Sequence, residues 1–130
     1  MLLRSAPYFP VADVAMSAAH YEQVLGFHPD YIAGTQFAIM SRDGLAVMLR
    51  LVPEPEKIRP SESQGGTWDA FFWVSDVKAL HEELRGKGAV IVHGPVVRQA
   101  YGMEEFAVRD CDGHVLGFGQ PVGSAPPGTK

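Results

Sequence analysis

A chain of 130 residues has the length of one domain, or of two small modules that share one core. Its formal net charge of −4 and the absence of any Lys/Arg cluster argue against a nucleic-acid-binding surface. Cys111 is the only cysteine, which excludes an intramolecular disulfide, and no segment has the apolar length of a signal-peptide core or a membrane span. These features predict a cytoplasmic protein without nucleic-acid or membrane partners.

An internal duplication organises the chain. Two short segments recur in the same order in both halves, at offsets of 63 and 69 residues: VADV (11–14) as VSDV (74–77), and FAI…DG (37–44) as FAV…DG (106–113). The change of offset places about six additional residues in the second copy, between Gly88 and Phe106. The two halves are therefore expected to have the same order of helices and strands.

Each half contains the signals of one helix. Asp13 and Asp76 predict N-caps, because a short carboxylate accepts hydrogen bonds from the free N–H groups of the first turn. Apolar residues at helical spacing follow each cap: Val14, Ala18, Tyr21 and Leu25 in the first half, and Val77, Leu80 and Leu84 in the second. Gly26 and Gly88 predict the helix ends.

Strands are predicted on both sides of each helix. Residues 6–12 and 68–75, and the segments after the helices, are rich in Val, Ile, Phe and Tyr, and Asp-Gly pairs at 43–44 and 112–113 predict hairpin turns. The predicted fold is α+β, with two tandem βαβββ modules (1–52 and 66–121) forming a cup-shaped, eight-stranded mixed sheet with helices outside. Residues 53–65 are predicted to be a proline-rich linker and residues 122–130 a disordered tail.

Three segments carry a resemblance to a known family: PVADVAMSAAHYEQVLGF (10–27), WVSDVKALHEELRGKG (73–88) and YGMEEFAVRDCDGHVLGFGQP (101–121). They resemble the vicinal oxygen chelate superfamily, which includes glyoxalase I, extradiol dioxygenases, fosfomycin-resistance enzymes and bleomycin-resistance proteins. The last segment is similar to the bleomycin-resistance branch, where a YG-x-x-EF-x-x-RD-x-x-G pattern is typical. The resemblance covers most of the chain from Tyr8 to Pro121.

The resemblance implies four strand positions that hold a divalent metal in the enzymes of the superfamily. The residues at these positions are Ala6, Met48, Asp69 and Gly117. A catalytic metal needs about three protein ligands from His, Glu, Asp or Cys, and only Asp69 qualifies. We therefore expect no metal, no cofactor and none of the superfamily's metal chemistry.

No other pattern predicts catalysis. The five histidines stand at separate places without metal-ligand spacing. Asp110-Cys111-Asp112-Gly113 resembles the start of a calcium loop but lacks the downstream glutamate, so a hairpin turn is the better interpretation. Cys111 has no general base at a fixed spacing.

Strand alternation predicts which side chains face the cup. Asp69, Phe71 and Trp73 would share the inner face, as would Tyr8, Met48 and Arg50 on their own strands. Inward glycines at 117 and 119 remove bulk and favour a ligand pocket, with Trp68, Tyr101 and Phe106 at its rim. The alternative is a closed core in which Asp69 and Arg50 form a buried pair.

Three functions stay open. The first is a metal-free protein that binds a planar or aromatic, possibly cationic small molecule, because bleomycin-resistance proteins are homodimers that sequester such a drug, and so confer antibiotic resistance, without bond chemistry. The second is a metal-dependent glyoxalase-like lyase or extradiol-type dioxygenase, and the third is an interaction module. For the first function no residue is catalytic, and the predicted ligand-binding residues are Tyr8, Met48, Arg50, Asp69, Phe71, Trp73, Tyr101 and Phe106.

Overall fold

The computed structural model describes residues 1–122, without the side chains of residues 95, 97 and 98. Helices and strands follow in chain order as β1 (Tyr8–Val11), α1 (Val14–Gln23), β2 (His28–Ala33), β3 (Phe37–Arg42), β4 (Leu45–Leu51), β5 (Ala70–Trp73), α2 (Val77–Gly86), β6 (Val90–Arg98), β7 (Met103–Arg109) and β8 (Val115–Pro121). The segment between β4 and β5 holds two short 3-10 turns, Pro55–Lys57 and Ser61–Gln64. From residue 123 on, the tail predicted to be disordered lies outside the described residues.

Each half of the chain folds into one helix and one four-stranded mixed sheet. The strand order is β1-β4-β3-β2 in the first sheet and β5-β8-β7-β6 in the second. In both sheets the first and last strands of the half pair in parallel, and the other neighbours are antiparallel. The predicted α+β fold of two tandem βαβββ modules is confirmed. The eight strands are divided between two sheets, and no strand pairing joins these sheets within residues 1–122.

Strand register confirms the repeat for the parallel pairs. Tyr8 pairs with Met48 in the first sheet, and Phe71 pairs with Gly117 in the second. These two pairs are related by the offsets of 63 and 69 residues found in the sequence. The additional residues of the second half lie in β6, where the register shifts between residues 92 and 97, and in the connection that follows it.

The repeat is one residue off for β7. Met48 pairs with Ile39, whereas its equivalent Gly117 pairs with Ala107, so an offset of 68 and not 69 relates β3 to β7. A slip of one residue moves every side chain of a strand to the opposite face. Phe106, the first residue of the repeated FAV segment, therefore faces α2.

The two Asp-Gly turns differ, which explains the slip. Asp43 and Gly44 have φ values of 52° and 79° and form the predicted two-residue hairpin turn. The second connection is longer, from Asp110 to His114, and the Asp110 carboxylate accepts the N–H groups of Asp112 and His114, each at 2.9 Å. This side chain adds to the backbone hydrogen bonds that close the turn, from the Asp110 N–H to the His114 carbonyl oxygen at 2.8 Å and from the Gly113 N–H to the Asp110 carbonyl oxygen at 3.2 Å.

Both helices begin at the predicted caps. The Asp13 carboxylate accepts the N–H of Met16 at 2.9 Å, and the Asp76 carboxylate accepts the N–H of Ala79 at 3.1 Å. α1 packs on β2, β3 and β4, and α2 packs on β6, β7 and β8. In the described part of the chain, neither helix is long and apolar enough to cross a membrane.

One hydrophobic core lies between the helices and the sheets and continues through both modules. Its largest fully buried side chains include Tyr21, Leu25, Met40, Leu49, Leu84, Phe106 and Leu116. Each helix covers only one face of its sheet. The opposite face of each sheet keeps large apolar side chains half exposed or more, among them Tyr8 and Trp73.

The modules are joined on the helix side by buried polar contacts. The Tyr21 hydroxyl of α1 donates to Asp110 Oδ2 at 2.7 Å, and both side chains are buried. Burial and the nearby Asp110 charge raise the pKa of Tyr21 well above its ordinary value, so the hydroxyl keeps its proton. The His114 ring stacks on Phe9, with 4.4 Å between the ring centroids, and His114 Nε2 donates to the Pro10 carbonyl oxygen at 2.7 Å.

Two further contacts cross the junction. The N–H of Ala12 donates to Asp112 Oδ1 at 2.9 Å. The Arg42 guanidinium donates to both carboxylate oxygens of Glu83 at 2.8 Å and to the Leu25 carbonyl oxygen at 2.9 Å. The hydrogen bond from Arg42 lowers the pKa of Glu83 below its ordinary value. A bidentate ion pair of this kind fixes the orientation of the two side chains as well as the distance between them.

We expect the Tyr21→Phe variant to lower the free energy of unfolding by about 1–3 kcal/mol, because it leaves a buried Asp110 oxygen without its donor. Urea unfolding at neutral pH measures the change. Tyr31→Phe is the matched control, since Tyr31 is 55% exposed and the loss of its hydroxyl should cost under about 0.5 kcal/mol. Equal stability of Tyr21→Phe and the control would contradict this account of the junction.

Candidate functional site

The face of the second sheet that points away from α2 carries aromatic side chains. Phe71 and Trp73 lie on this face, because Phe72 between them packs against the core. The ring centroids of Trp68 and Phe71 are 4.8 Å apart, and those of Phe71 and Trp73 are 5.1 Å apart. Trp73 is 62% exposed. Alternation along β5 thus places these rings as the sequence predicts.

The space next to the inward glycines of β8 is filled by the rings. A Cβ at Gly117 would lie 2.8 Å from Phe71 Cδ2 and 3.2 Å from Trp68 Cε3, and a Cβ at Gly119 would lie 2.8 Å from Phe71 Cζ. The expectation that two glycines open a pocket is therefore wrong. The Phe71 ring occupies the space they vacate, because parallel β5 lies directly beside β8. The result is a surface of rings in contact, with 47° between the planes of Trp68 and Phe71 and 73° between those of Phe71 and Trp73.

A buried carboxylate accompanies the rings. Glu105 of β7 is 4% exposed, and it lies on the same face because its Cβ is 3.1 Å from the position of a Cβ at Gly119. Its Oε1 accepts a short hydrogen bond from the Tyr101 hydroxyl. Desolvation and this bond raise the pKa of Tyr101 to about 12, which keeps it a donor. We call this surface the aromatic face (Trp68, Phe71, Trp73, Tyr101 and Glu105).

Asp69, the one carboxylate that the sequence predicted at the site, has a structural role. Asp69 Oδ1 accepts the N–H of Ser61 at 2.8 Å, and Asp69 Oδ2 accepts the N–H of Val115 at 2.8 Å. Asp69 thus fastens the linker to the start of β8, next to the Nδ1 atom of buried His114 at 3.9 Å. Because both oxygens already accept backbone donors, Asp69 is not the free charged group that the sequence suggested.

The open face of the first sheet carries a cation, Arg50, beside aromatic rings. Tyr8, Met48 and Arg50 lie there, and the Arg50 guanidinium is 5.5 Å from the centroid of the Tyr8 ring. Phe37 pairs with Arg50 in the neighbouring strand, and its ring centroid is 6.3 Å from that of Tyr8. Arg50 is exposed and lies on the other sheet from Asp69, so the alternative of a buried Asp69–Arg50 pair is wrong. We call this surface the first-sheet face (Tyr8, Phe37, Met48 and Arg50).

One predicted ligand-binding residue lies elsewhere. Phe106 is 1% exposed and packs in the core, with ring centroids 5.1 Å from His81 and 5.3 Å from Phe118. The one-residue slip of β7 puts it on the helix side, so it does not reach the rim. The residues that sequence reasoning missed are Phe37 and Glu105, which occupy equivalent places in the two sheets.

The residues of the fold do not fit the metal that enzymes of this superfamily use. Ala6 and Gly117 offer no donor atom, Met48 offers only a thioether, and both Asp69 oxygens bind backbone N–H groups. Within residues 1–122, no three His, Cys, Asp or Glu side chains come together as ligands. Cys111 is exposed, and desolvation raises the pKa of its thiol, which disfavours the nucleophilic thiolate.

A separate cleft of about 480 Å³ lies on the helix side, between the end of α1 and α2. Apolar side chains line its floor, and the Arg42–Glu83 pair stands at its edge. The floor includes Leu25, Phe27, Phe72, Leu80, Leu84 and Phe118. Of the eight predicted ligand-binding residues, only Trp73 touches this cleft.

Comparison with known proteins agrees with this architecture. The family model of the Glyoxalase/Bleomycin resistance protein/Dioxygenase superfamily matches residues 6–118. No curated protein sequence gives a significant match.

Several solved structures have the same fold. The bleomycin-binding protein of Streptomyces verticillus, complexed with copper(II)-bleomycin, is 23% identical with a TM-score of 0.69, over 95% of this chain and 98% of that one. TioX from Micromonospora sp. ML1 is 26% identical with a TM-score of 0.70, over 92% and 99%. A glyoxalase-related enzyme from Clostridium phytofermentans is 17% identical with a TM-score of 0.74, over 94% and 97%.

The family match extends over nearly all of both modules, and the strand order and helix placement agree with it. The chain therefore belongs to the glyoxalase/bleomycin resistance protein/dioxygenase superfamily.

Proposed function

We propose that this protein binds a flat, aromatic small molecule and performs no bond chemistry on it. The observation that carries the proposal is the aromatic face, where Trp73 and Tyr101 are 62% and 64% exposed although both are large rings. Aromatic rings held on a sheet lose little conformational entropy when a ligand stacks on them. Offset-stacked and edge-on contacts with such rings add to the gain from apolar burial.

The polar groups of the site support binding over catalysis. A hydrolytic or lyase mechanism needs a base, a nucleophile or a metal next to the substrate. Among the five residues of the aromatic face, the groups that could act as an acid or a base are the Glu105 carboxylate and the Tyr101 hydroxyl, which already bond to one another. The Asp69 carboxylate and the His114 ring are held by backbone contacts at the module junction.

We further propose that the protein acts as a homodimer. Each sheet leaves one face uncovered, and Tyr8 on the first sheet and Trp73 on the second are 54% and 62% exposed. Apolar surface of this extent is costly in water and is commonly covered in oligomers. Both uncovered faces carry exposed rings, so the first-sheet face of one copy would pack against the aromatic face of another. A ligand would then lie between the two copies.

Bleomycin is the first ligand to test, because proteins of the same fold have been crystallised with it. We expect it to quench the fluorescence of Trp68 and Trp73 at micromolar concentration. Trp73→Ala should weaken binding about tenfold or more through the loss of stacking area. Met16→Ala, which removes an exposed apolar side chain from α1, should bind normally. An unchanged Kd in Trp73→Ala would argue against the aromatic face, and no quenching of the wild type would argue against this ligand class.

The proposed homodimer can be tested by the mass of the protein in solution. Light scattering of the purified protein should give twice the chain mass of 14.1 kDa. Tyr8→Glu should shift the protein to the monomer, because it puts a charge into a covered apolar face. Met16→Glu is the control, and it should stay dimeric. A wild-type monomer at micromolar concentration would overturn this part of the proposal.

A metal-dependent lyase or dioxygenase is the competing function, and elemental analysis separates the two. We expect well under one equivalent of zinc, nickel, manganese or iron per chain after purification without chelator, because a catalytic site needs about three donors. About one equivalent that survives dialysis would favour the enzyme. A monomeric, metal-free protein that binds no aromatic ligand would instead favour an interaction module.

A further inference from the structure

Glu105 puts an unsatisfied carboxylate oxygen on the aromatic face. The residue is 4% exposed, its Oε1 accepts from Tyr101, and its Oε2 is buried without a hydrogen-bond partner in the described part of the chain. The neighbouring Glu104 points to the other side of the strand, where it contacts Lys78 of α2 at 4.0 Å.

An oxygen in this state costs the fold free energy. Nearly all buried polar atoms in proteins have a partner. A carboxylate removed from water is among the most costly groups to leave unpaired. Because Oε2 has no hydrogen-bond partner among the described residues, its donor has to come from outside them, and a ligand bound on the aromatic face can supply one.

The surroundings of Oε2 select a positive charge. Register aligns Trp73, Gly119 and Glu105 in three adjacent strands, so the carboxylate lies two strands from the exposed indole, with Gly119 of β8 between them. The missing side chain at Gly119 lets the Phe71 ring edge and the Glu105 side chain approach the same point. Aromatic faces attract cations, and a carboxylate forms its strongest hydrogen bonds with charged N–H donors.

We propose that Glu105 is the anionic anchor of the aromatic face, and that the ligand carries a positively charged N–H group, an amine or amidine, on its flat ring system. The ligand N–H donates to Glu105 Oε2 while the rings lie against Trp73 and Phe71. Tyr101 holds the carboxylate through Oε1 and acts as a positioning residue. This inference rests on the proposed function and adds charge selectivity to it. Glu105 lies outside the four strand positions that bind metal in the enzymes of the superfamily.

Two probes of the same shape test the charge. 9-Aminoacridine is cationic at pH 7, and acridine is its largely neutral parent ring. Binding of each to the full chain is measured by calorimetry. We expect the wild type to prefer the cation by about ten- to a hundredfold, as one charge-assisted hydrogen bond allows. Glu105→Gln should abolish this preference and leave the Kd of acridine within about twofold. Glu104→Gln is the matched control, and it should bind both probes as the wild type does.

The outcomes separate this inference from the proposed function. If both probes bind and Trp73→Ala weakens both, but Glu105→Gln keeps the preference, the anchor is wrong and the aromatic face remains. If neither probe binds the wild type, the proposed function fails for flat aromatic ligands, and the anchor fails with it. Glutamine keeps an oxygen for Tyr101 and the volume of the side chain, and thermal unfolding checks that the variant is folded. A second variant, Glu105→Asp, withdraws the carboxylate by one methylene and should show an intermediate preference.

Discussion

The buried hydrogen bond between Tyr21 and Asp110 is the contact on which the arrangement of the molecule depends. Asp110 also accepts two backbone N–H groups of its own turn, so one carboxylate shapes the β7–β8 connection and joins it to α1. The junction therefore forms on the helix side of both sheets. Since a helix covers only one face of a sheet, the other face of each sheet is left free for a ligand or a partner.

Polar side chains near the second sheet are used mainly to hold the fold together. Groups that resemble catalytic residues in the sequence, Asp69 and His114, bond to backbone atoms and hold the linker and β1 in place. Their replacement would damage the fold before it affected a ligand. The aromatic face consists of aromatic rings and the buried Glu105 carboxylate, and such a set of groups is suited to recognition by shape and charge.

Local patterns predicted much of this fold correctly. Asp13 and Asp76 cap helices, Asp43-Gly44 closes a hairpin, and the apolar stripe of α1 is buried, because each of these depends on neighbours a few residues away. Alternation along β5 also placed Phe71 and Trp73 correctly. The same rule failed on β7, where the FAV match suggested an offset one residue too long. The β7–β8 turn is longer than the Asp43-Gly44 turn, and no periodic pattern in the sequence predicts this length.

The sequence by itself determined the βαβββ repeat, the family, the start of each helix and the absence of hard metal donors at Ala6, Met48 and Gly117, since these follow from residue type and short-range spacing. Only the tertiary structure decided that Phe106 lies in the core and that the Asp69 carboxylate accepts hydrogen bonds from backbone N–H groups. It also decided that Phe71 fills the space above the β8 glycines and that Glu105 lies next to the rings. The physical reason is that these four facts depend on strand register and on contacts between residues far apart in the chain. A shift of one residue reverses the face of every side chain in a strand while leaving its composition unchanged.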